Sequence, residues 1–233
     1  MPLHEGAGDP AADIRPLEPT QATRAARAAR ELRSLVLAGR FQSGERLNEV
    51  AIAQALGISR GPLREAIQRL TAEGLLTAVS HRGAYVRSIS ADELKDLYGL
   101  RIAVESYAVR WVAVHTDVTE RAHLDDLLAR TEKILDGGGE VPYPADLDIH
   151  ENIVQLAHNE ELLRTVRDVH AKIHLARARS AYAHDRACQA FDEHRQIIEA
   201  INRRDPRAAA DALEEHLQAA LTNALTILHD QSQ

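Results

Sequence analysis

Hydrophobic residues recur at intervals of three and four along most of the chain, a spacing typical of amphipathic α-helices. The clearest example is the segment Gly57 to Leu70, read GISRGPLREAIQRL, whose apolar positions are Ile58, Leu63, Ala66, Ile67 and Leu70. These positions share one helical face and leave the arginines of the segment on its other sides. Ser59 can cap this helix, and Pro62 falls in the first turn, where the missing N–H of proline costs nothing. The helix is therefore predicted to begin close to Ser59.

A shorter helical pattern, Glu49 to Leu56, precedes this segment and is joined to it through Gly57 and Ile58. Two short helices joined through glycine indicate a helix-turn-helix, in which the second helix enters the major groove of DNA. We predict DNA contacts from four residues at the start of that helix: Ser59, Arg60, Gly61 and Arg64. Arginine suits this task because its planar guanidinium pairs bidentately with guanine. The alternative interpretation is an amphipathic hairpin of helices with solvated arginines.

The segments on either side of the two helices extend this pattern. A basic amphipathic helix is predicted upstream, from about Thr20 to Ala38, with arginines that either contact phosphates or are solvated. Downstream, Leu75 to Ser88 (LLTAVSHRGAYVRS) has two β-prone runs around a turn at Ser80 to Gly83. This predicts a β-hairpin wing whose basic tip can approach the DNA backbone or the minor groove through His81, Arg82 and Gly83.

From Ser90 onward the chain is helical in pattern throughout. Helix starts are predicted from capping residues and from proline in a first turn, at Ser90 with Glu93, Asp117 with Glu120, Asn159, and Asp205 with Pro206. The segment DGGGEVPYP, residues 136–144, is the longest break between these helices. Six helices joined by short turns imply an antiparallel bundle.

The expected fold is therefore mainly α. Residues 1–19 are rich in Pro, Gly and Ala without periodicity and are predicted to be a disordered leader. We expect a winged helix-turn-helix DNA-binding domain over 20–88, followed by an all-α antiparallel bundle of six to seven helices over 89–233. The longest apolar runs are too short to cross a membrane and the N-terminus lacks a signal-peptide pattern, so a cytoplasmic protein is expected. One cysteine, Cys188, excludes an intrachain disulfide framework.

The charge is distributed unevenly between these two parts. The net charge is −7, yet residues 15–90 hold twelve Lys and Arg against six Asp and Glu. Residues 91–233 hold sixteen against twenty-six. A basic first third on an acidic remainder fits a DNA-binding head carried by a domain with another task.

Polar residues interrupt the apolar faces of three bundle helices. Asp146 and His150 lie one turn apart on one helix, and His194 and His216 interrupt two later ones. Each histidine alone is more simply a hydrogen-bonded core residue. Together, the inward acid and imidazoles would be costly to bury, whereas one divalent cation could satisfy all four. This donor set suits zinc, nickel, cobalt or iron better than magnesium or calcium.

Arg101 stands in the apolar stripe of the first bundle helix, which comprises Leu94, Leu97, Val104, Ala108 and Trp111. A buried guanidinium needs an anion. That anion is either Glu105, one turn further along, or the carboxylate of a bound ligand, and the sequence leaves both open. His170 and His174 are also four residues apart, but without an evident third ligand they are weak metal candidates.

The motifs of the first part resemble a known family. FQSGERLNEVAIAQALGISRGPLREAIQRLTAEGLL, followed by a wing ending in RGAYVR, is similar to the winged-helix head of GntR-type bacterial transcription regulators. The resemblance covers about residues 20–88. It implies that Arg60 and Arg64 contact bases or phosphates and that the tip at Arg82 and Gly83 lies in the minor groove. Some members carry an arginine near the start of the second helix, where this chain has Val50.

The later segments resemble a second unit of the same proteins. PADLDIHENIVQLAHNEELLRTV and FDEHRQIIEAINRRDPRAAADALEEHL are similar to FCD, the all-helical C-terminal domain of the FadR subfamily. The resemblance implies a single divalent ion per chain, with zinc or nickel as leading candidates, held by Asp146, His150, His194 and His216. It also implies that a small carboxylate effector completes the coordination of the ion and pairs with Arg101.

The sequence therefore predicts a dimeric, ligand-responsive transcription regulator, in this family most often a repressor, that reads an inverted-repeat operator. Its expected partners are operator DNA, a small carboxylate and a second copy of the chain, without a membrane. In one alternative the metal itself is the signal. In another, the chain is a metal-dependent hydrolase with a DNA-binding head, but the HExxH pattern is missing and Glu151 should point about a quarter turn away from His150.

Overall fold

The computed structural model describes residues 20–137, 148–177 and 184–230. Their helices and strands, in chain order, are α1 (Thr20–Leu37), α2 (Glu49–Ala55), α3 (Arg60–Ala72), β1 (Leu76–Val79), β2 (Gly83–Val86), α4 (Ala91–His115), α5 (Val118–Asp136), α6 (Ile149–Leu156), α7 (Glu160–Arg177), α8 (His184–Asn202) and α9 (Pro206–Asp230). The prediction of a mainly α fold with a two-stranded wing is confirmed. The predicted leader, 1–19, lies outside the described residues, as does most of the break predicted at 136–144.

The first three helices form a small core beneath the wing. α1 packs across α3, and the buried side chains of α3 are those that the periodicity predicted, together with Pro62 in the first turn. Leu32 and Val36 of α1 are fully buried against this face. Between α2 and α3, Gly57 has φ +63°, a conformation that glycine adopts without the steric cost of a side chain. The glycine joint that indicated a helix-turn-helix is therefore required by the backbone.

The start of α3 differs from the prediction in one respect. Ser59 occupies the N-cap position with an extended backbone, but its side chain makes no capping hydrogen bond to any described residue. By contrast, Asn48 accepts a hydrogen bond from the backbone N–H of Ala51 and caps α2. The position of the helix start was predicted correctly and the role of the serine hydroxyl was not.

The wing is an antiparallel hairpin, as predicted. β1 and β2 pair with Leu76 opposite Val86 and Val79 opposite Gly83. Leu76 and Val86 are buried and attach the hairpin to the helical core, whereas the tip projects into solvent. Arg46, upstream of α2, forms a further bridge with Tyr85. The wing is thus anchored on one side and free at its tip.

α4 is the central helix of the remaining part, because α6, α7, α8 and α9 all pack against it. It is covered from several directions, so its buried arc is wider than one stripe. Val104 and Trp111, predicted to face inward, are only partly buried. Tyr98 and Glu105 are buried instead. The prediction for Arg101 holds, since this residue is 7% exposed.

The four predicted capping residues all cap their helices, and only the reciprocal bond expected from the side chain of Glu93 to the backbone of Ser90 is missing. Ser90 accepts a hydrogen bond from the backbone N–H of Glu93, but the expected reciprocal bond is replaced by an ion pair between Glu93 and Arg87. The other three predicted caps form, at Asp117, Asn159 and Asp205. The sequence also predicts a helix start near Ala145, directly after the break at 136–144. That position lies outside the described residues, and α6 begins after Asp148, whose side chain caps it.

A short connection joins the wing to the bundle. Arg87 donates a hydrogen bond from Nη1 to the carbonyl oxygen of Gly74 at 3.3 Å and pairs with Glu93 at the start of α4. α1 and α7 also touch. The two parts are therefore packed together as well as linked in sequence. Among the described helices, none is long and apolar enough to cross a membrane.

Candidate metal centre and nucleic-acid interface

Three helices of the bundle each bring one buried histidine to a common point. His150 comes from α6, His194 from α8 and His216 from α9, and each is 5% exposed. Their Nε2 atoms are 3.0 Å apart for His150 and His216, 3.1 Å for His150 and His194, and 3.3 Å for His194 and His216. The structure thus brings together three of the four predicted ligands. The fourth, Asp146, lies outside the described residues.

The size of this triangle fits a bound transition ion. Nitrogens about 2.05 Å from zinc stand about 3.3 Å apart in tetrahedral geometry and about 2.9 Å apart at right angles. The observed separations of 3.0–3.3 Å fall in this range. Within the described parts of the chain, this is the one group of at least three His, Cys, Asp or Glu residues whose ligand atoms lie close enough for a metal.

The protonation of two of these rings is fixed by carboxylates. Nδ1 of His150 donates to Oε2 of Glu105 at 2.7 Å, and Nδ1 of His216 donates to Oε2 of Glu193 at 2.6 Å. An ionised carboxylate only accepts hydrogen bonds, so in both neutral rings the proton is on Nδ1 and Nε2 bears a lone pair. Two lone pairs then face each other at 3.0 Å. A cation between them would remove this repulsion, and carboxylate–histidine–metal chains orient metal ligands in this way.

Burial keeps these imidazoles neutral. It lowers the pKa of His194 well below its ordinary value, and the neighbouring His216 and His150 lower it further. It also lowers the pKa of His216 to about 4, against the opposing effect of the hydrogen bond to Glu193. The pKa of His150 is lowered mainly by burial and then by Arg101. Neutral imidazole is the form that binds metals, so the three rings need not lose a proton first.

Glu105 connects the histidines to Arg101. It is 1% exposed and accepts three hydrogen bonds, one at Oε2 from His150 and two at Oε1. Those at Oε1 come from Nε of Arg101 at 2.7 Å and from Nε2 of His170 at 2.8 Å. Burial alone would raise the pKa of Glu105, but Arg101, His150 and these hydrogen bonds hold it well below its usual range. The carboxylate is therefore ionised and fully engaged.

Arg101 pairs with Glu105, one of the two anions that the sequence left open. The bond to Glu105 uses Nε alone, and the two Nη groups of Arg101 have no hydrogen-bond partner among the described residues. The guanidinium also lies 5.8 Å from the centre of the buried Tyr98 ring. A planar guanidinium with both Nη groups unengaged can receive a second carboxylate.

His170 and Asp148 also belong to this site. The sequence offered His170 only as a weak metal candidate and did not single out Asp148. Nδ1 of His170 lies 3.5 Å from Oδ2 of Asp148. Burial and Arg101 lower the pKa of the imidazole, but its hydrogen bonds to the carboxylates of Asp148 and Glu105 outweigh them and raise it. One signal was available, because His170 shares the apolar face of α7 with Val166, Val169 and Ile173. His174, one turn further along α7, is exposed.

Glu151, adjacent to His150, turns away from the three imidazoles as predicted. Its carboxylate accepts a hydrogen bond from Nε of Arg167 at 2.7 Å, on the outer side of α7. It is therefore not placed to act as a base beside a bound ion, as the hydrolase alternative would require.

The predicted DNA-contact residues are collected on one exposed face. Those at the start of α3 are all exposed, namely Ser59, Arg60, Gly61 and Arg64, and so are His81 and Arg82 at the wing tip. A groove of about 430 Å³ separates α3 from the wing and is lined by Arg64, His81 and Gly83. Gln68, one turn after Arg64, also lines it and was not predicted. Nε of Arg64 lies 3.6 Å from Oε2 of Glu49, which holds the arginine beside the groove.

The end of the wing turn requires glycine. Gly83 has φ +98°, which L side chains rarely adopt, and a Cβ there would lie 3.4 Å from Nε of Arg46. Val50, at the position where some relatives carry an arginine, is 56% exposed and offers DNA no charge.

Comparison with known families agrees with both parts. Residues 24–86 match the family described as bacterial regulatory proteins, gntR family, and residues 96–219 match the FCD domain. The FCD match alone spans more than half of the chain. This chain therefore belongs to the GntR family, in the group that carries an FCD domain, and is a DNA-binding transcription regulator rather than an enzyme.

Individual relatives lead to the same conclusion. The chain is 33% identical over 187 residues to an uncharacterized HTH-type transcriptional regulator, YdhC, of Bacillus subtilis (79% of this chain, 84% of the relative). It is 31% identical over 188 residues to a probable D-xylose utilization operon transcriptional repressor of Paenarthrobacter nicotinovorans (80% and 82%). A crystal structure of a putative GntR regulator from Rhodococcus sp. RHA1 superposes with TM-score 0.73 at 28% identity (88% and 98%). The hydrolase alternative is thereby overturned.

Proposed function

We propose that this protein is a metal-containing repressor that binds an inverted-repeat operator as a homodimer and responds to a small carboxylate. Residues 20–88 would bind DNA, and residues 89–233 would bind the effector and dimerise. One observation carries the proposal. Three neutral imidazoles, two of them with their lone pairs fixed toward a common point, lie next to a buried arginine whose Nη groups donate to none of the described residues.

The residues that would hold the ion are His150, His194 and His216, with Asp146 as the fourth ligand. A divalent transition ion, zinc or nickel, would offer an open coordination position to an anion. The surrounding side chains prepare that position. Glu105 and Glu193 fix the proton of two rings on Nδ1, and Arg101 presents its two Nη groups to a carboxylate in the planar geometry that favours a paired interaction.

A homodimer is supported by an exposed apolar stripe on α4. Leu100, Tyr107 and Val114 are 45%, 54% and 47% exposed and follow each other at seven-residue intervals. Seven residues are close to two helical turns, so these side chains lie along one side of the helix. A second copy related by a twofold axis would cover the stripe and present two recognition helices to two half-sites.

Repression requires that the effector distinguish two arrangements of the heads, because a ligand with equal affinity for both shifts nothing. A single helix, α7, connects the histidine centre with the DNA-binding part and could transmit a change between these two arrangements. α7 carries His170 at the centre and also touches α1 of the head. Small displacements around Glu105 therefore reach the DNA-binding part through a single helix.

The proposal is tested by metal analysis combined with DNA binding. Protein purified without chelators and offered zinc or nickel is expected to retain about one ion per chain. DNA fragments selected in vitro from a random pool are expected to contain an inverted repeat. A panel of small carboxylates should then include one that releases this DNA from the metal-loaded protein. Protein that retains neither ion would refute the proposal, and release by metal alone would favour the metallosensor alternative.

A further inference from the structure

Among the described residues, two carboxylates accept hydrogen bonds from the histidine triad, and their surroundings differ. Glu193 accepts a hydrogen bond from His216 and from Arg186, at a partly exposed position. Glu105 is buried and joins His150 to two further groups, Arg101 and His170. Both carboxylates therefore orient a histidine of the triad, but only Glu105 also contacts the arginine that we assign to the effector.

We propose that Glu105 is a positioning residue that couples His150 to Arg101, so that a carboxylate taken by Arg101 and an ion held by His150 strengthen each other's binding. This inference rests on the proposed function, because it requires an ion and an anion at the same centre. It adds a route by which the two are linked. By thermodynamic reciprocity, the factor by which the anion raises metal affinity equals the factor by which the metal raises anion affinity.

The coupling follows from the different hydrogen-bond partners of the two oxygens of Glu105. Within the described parts of the chain, Oε2 accepts only from His150, whereas Oε1 accepts from both Arg101 and His170. An anion that pairs with the Nη groups of Arg101 takes up part of the positive charge that now acts on Glu105. Oε2 then becomes a stronger acceptor for Nδ1–H of His150. A stronger acceptor at Nδ1 makes Nε2 more basic and a better metal ligand.

His170 completes this arrangement by holding Glu105 in place. Its Nε2 donates to Oε1 at 2.8 Å, and its Nδ1 faces Asp148 at 3.5 Å. Glu105 therefore keeps a second hydrogen-bond donor at Oε1 when Arg101 pairs with an anion. The carboxylate of Glu105 therefore stays hydrogen-bonded to His150 while an anion at Arg101 changes the charge around it. The effect of the anion reaches His150 through this bond.

The test compares Glu105→Gln with Glu193→Gln. Each variant replaces a carboxylate that accepts a hydrogen bond from Nδ1 of a triad histidine with a neutral amide of nearly the same size, and only the first also removes the negative charge that faces Arg101. Zinc affinity is measured by competition with a chromophoric chelator, in sodium acetate and in sodium chloride of equal ionic strength. Acetate is the probe carboxylate, and chloride controls for salt.

In the wild type, acetate is expected to raise zinc affinity. Both variants are expected to bind zinc roughly 10- to 100-fold more weakly, because each removes a carboxylate partner of a ligand. The acetate effect is expected to vanish in Glu105→Gln and to persist in Glu193→Gln. An absent acetate effect in the wild type, or an equal effect in the two variants, overturns the inference. A wild-type protein that binds no zinc refutes the proposed function instead.

Two further measurements separate positioning from a merely structural role. The ¹⁵N spectrum of the zinc-free protein reports ring tautomers, and Glu105→Gln is expected to mix the tautomers of His150 while His216 keeps its proton on Nδ1. If Glu105→Gln does not fold, Arg101→Lys replaces it. Lysine retains the positive charge but not the planar pair of donors, so zinc affinity should stay near wild type while the acetate effect is lost. Retention of the full acetate effect in Arg101→Lys would contradict the coupling.

Discussion

The DNA-binding face and the histidine centre are built in opposite ways. On α3 and the wing, the side chains predicted to contact DNA are exposed and make few contacts within the protein, so each would present its own chemistry to a partner. In the bundle, the three histidines and Arg101 are buried and linked: Glu105 joins His150 to Arg101 and His170, and Nε2 of His150 meets those of His194 and His216. An exposed site therefore tolerates the loss of one member with a graded effect, whereas the buried centre depends on its whole set.

The largest expected effect is the loss of the ion from the buried centre. His194→Ala removes one of three converging imidazoles and leaves a site too poor in donors to retain zinc during purification. Elemental analysis is expected to fall from about one ion per chain to nearly none. His174→Ala, an exposed histidine on α7, serves as the control and should keep the wild-type content. Equal zinc content in the two variants would mean that the triad does not hold the ion.

A graded effect is expected on the exposed face. Arg60→Ala and Arg64→Ala should each weaken binding to the selected DNA by about 1–3 kcal/mol, because each removes a base or phosphate contact. Gel shifts measure this change, and Arg130→Ala, an exposed arginine on α5, is the matched control. Zinc content should be unchanged in all three. Wild-type DNA affinity in both recognition-helix variants would exclude these two arginines as contacts.

The apolar stripe on α4 lies in the bundle, like the histidine centre, but it is exposed, like the face of α3. A substitution in it therefore tests whether exposure or location determines how strongly a mutation acts. Tyr107→Glu places a charge in the middle of the stripe and is expected to raise the dimer dissociation constant at least tenfold, since two like charges would meet near the twofold axis. Sedimentation velocity measures the shift toward monomer. Glu132→Ala, another exposed position in the bundle, should not alter the sedimentation profile. A Tyr107→Glu protein that remains dimeric at low concentration would place the interface elsewhere.

The smallest expected effect concerns the start of α3. N-cap serines and asparagines usually contribute about 1 kcal/mol, but the Ser59 side chain makes no capping hydrogen bond to a described residue. Ser59→Ala is therefore expected to lower the free energy of unfolding by less than about 0.5 kcal/mol, whereas Asn48→Ala, which removes a formed cap, should cost about 1 kcal/mol. Urea denaturation compares the two. A larger loss for Ser59→Ala would show that its hydroxyl caps the helix in solution.

More of the predicted DNA-contact face than of the histidine centre could be predicted from the sequence, and the reason is physical. The exposed face of α3 follows from local periodicity, so its residues could be predicted from a short segment. The three histidines could be found because each interrupts an apolar face of its own helix. Glu105 was identified only as a partner for Arg101, because its contacts with His150 and His170 join residues 45 and 65 positions apart. Periodicity within one helix carries no information about such distant partners.

The buried arc of α4 shows the same limit. One stripe was expected, with Val104 and Trp111 inward, but four helices surround α4 and bury Glu105 and Tyr98 as well. The number of neighbours of a helix is set by the tertiary fold, and the hydrophobic pattern alone underestimates it. The serine cap failed for a different reason, since residue type identifies a suitable N-cap position but not the rotamer its hydroxyl adopts.

The short connection between β2 and α4 has a consequence for operator choice. Arg87 is tied on one side to Gly74, just after the recognition helix, and on the other to Glu93 in the first turn of α4. Ile89, between the two elements, is itself buried. The direction of α3 is thus coupled to that of the long helix α4. In the proposed dimer, the packing of the two bundles would therefore set how many base pairs separate the two half-sites.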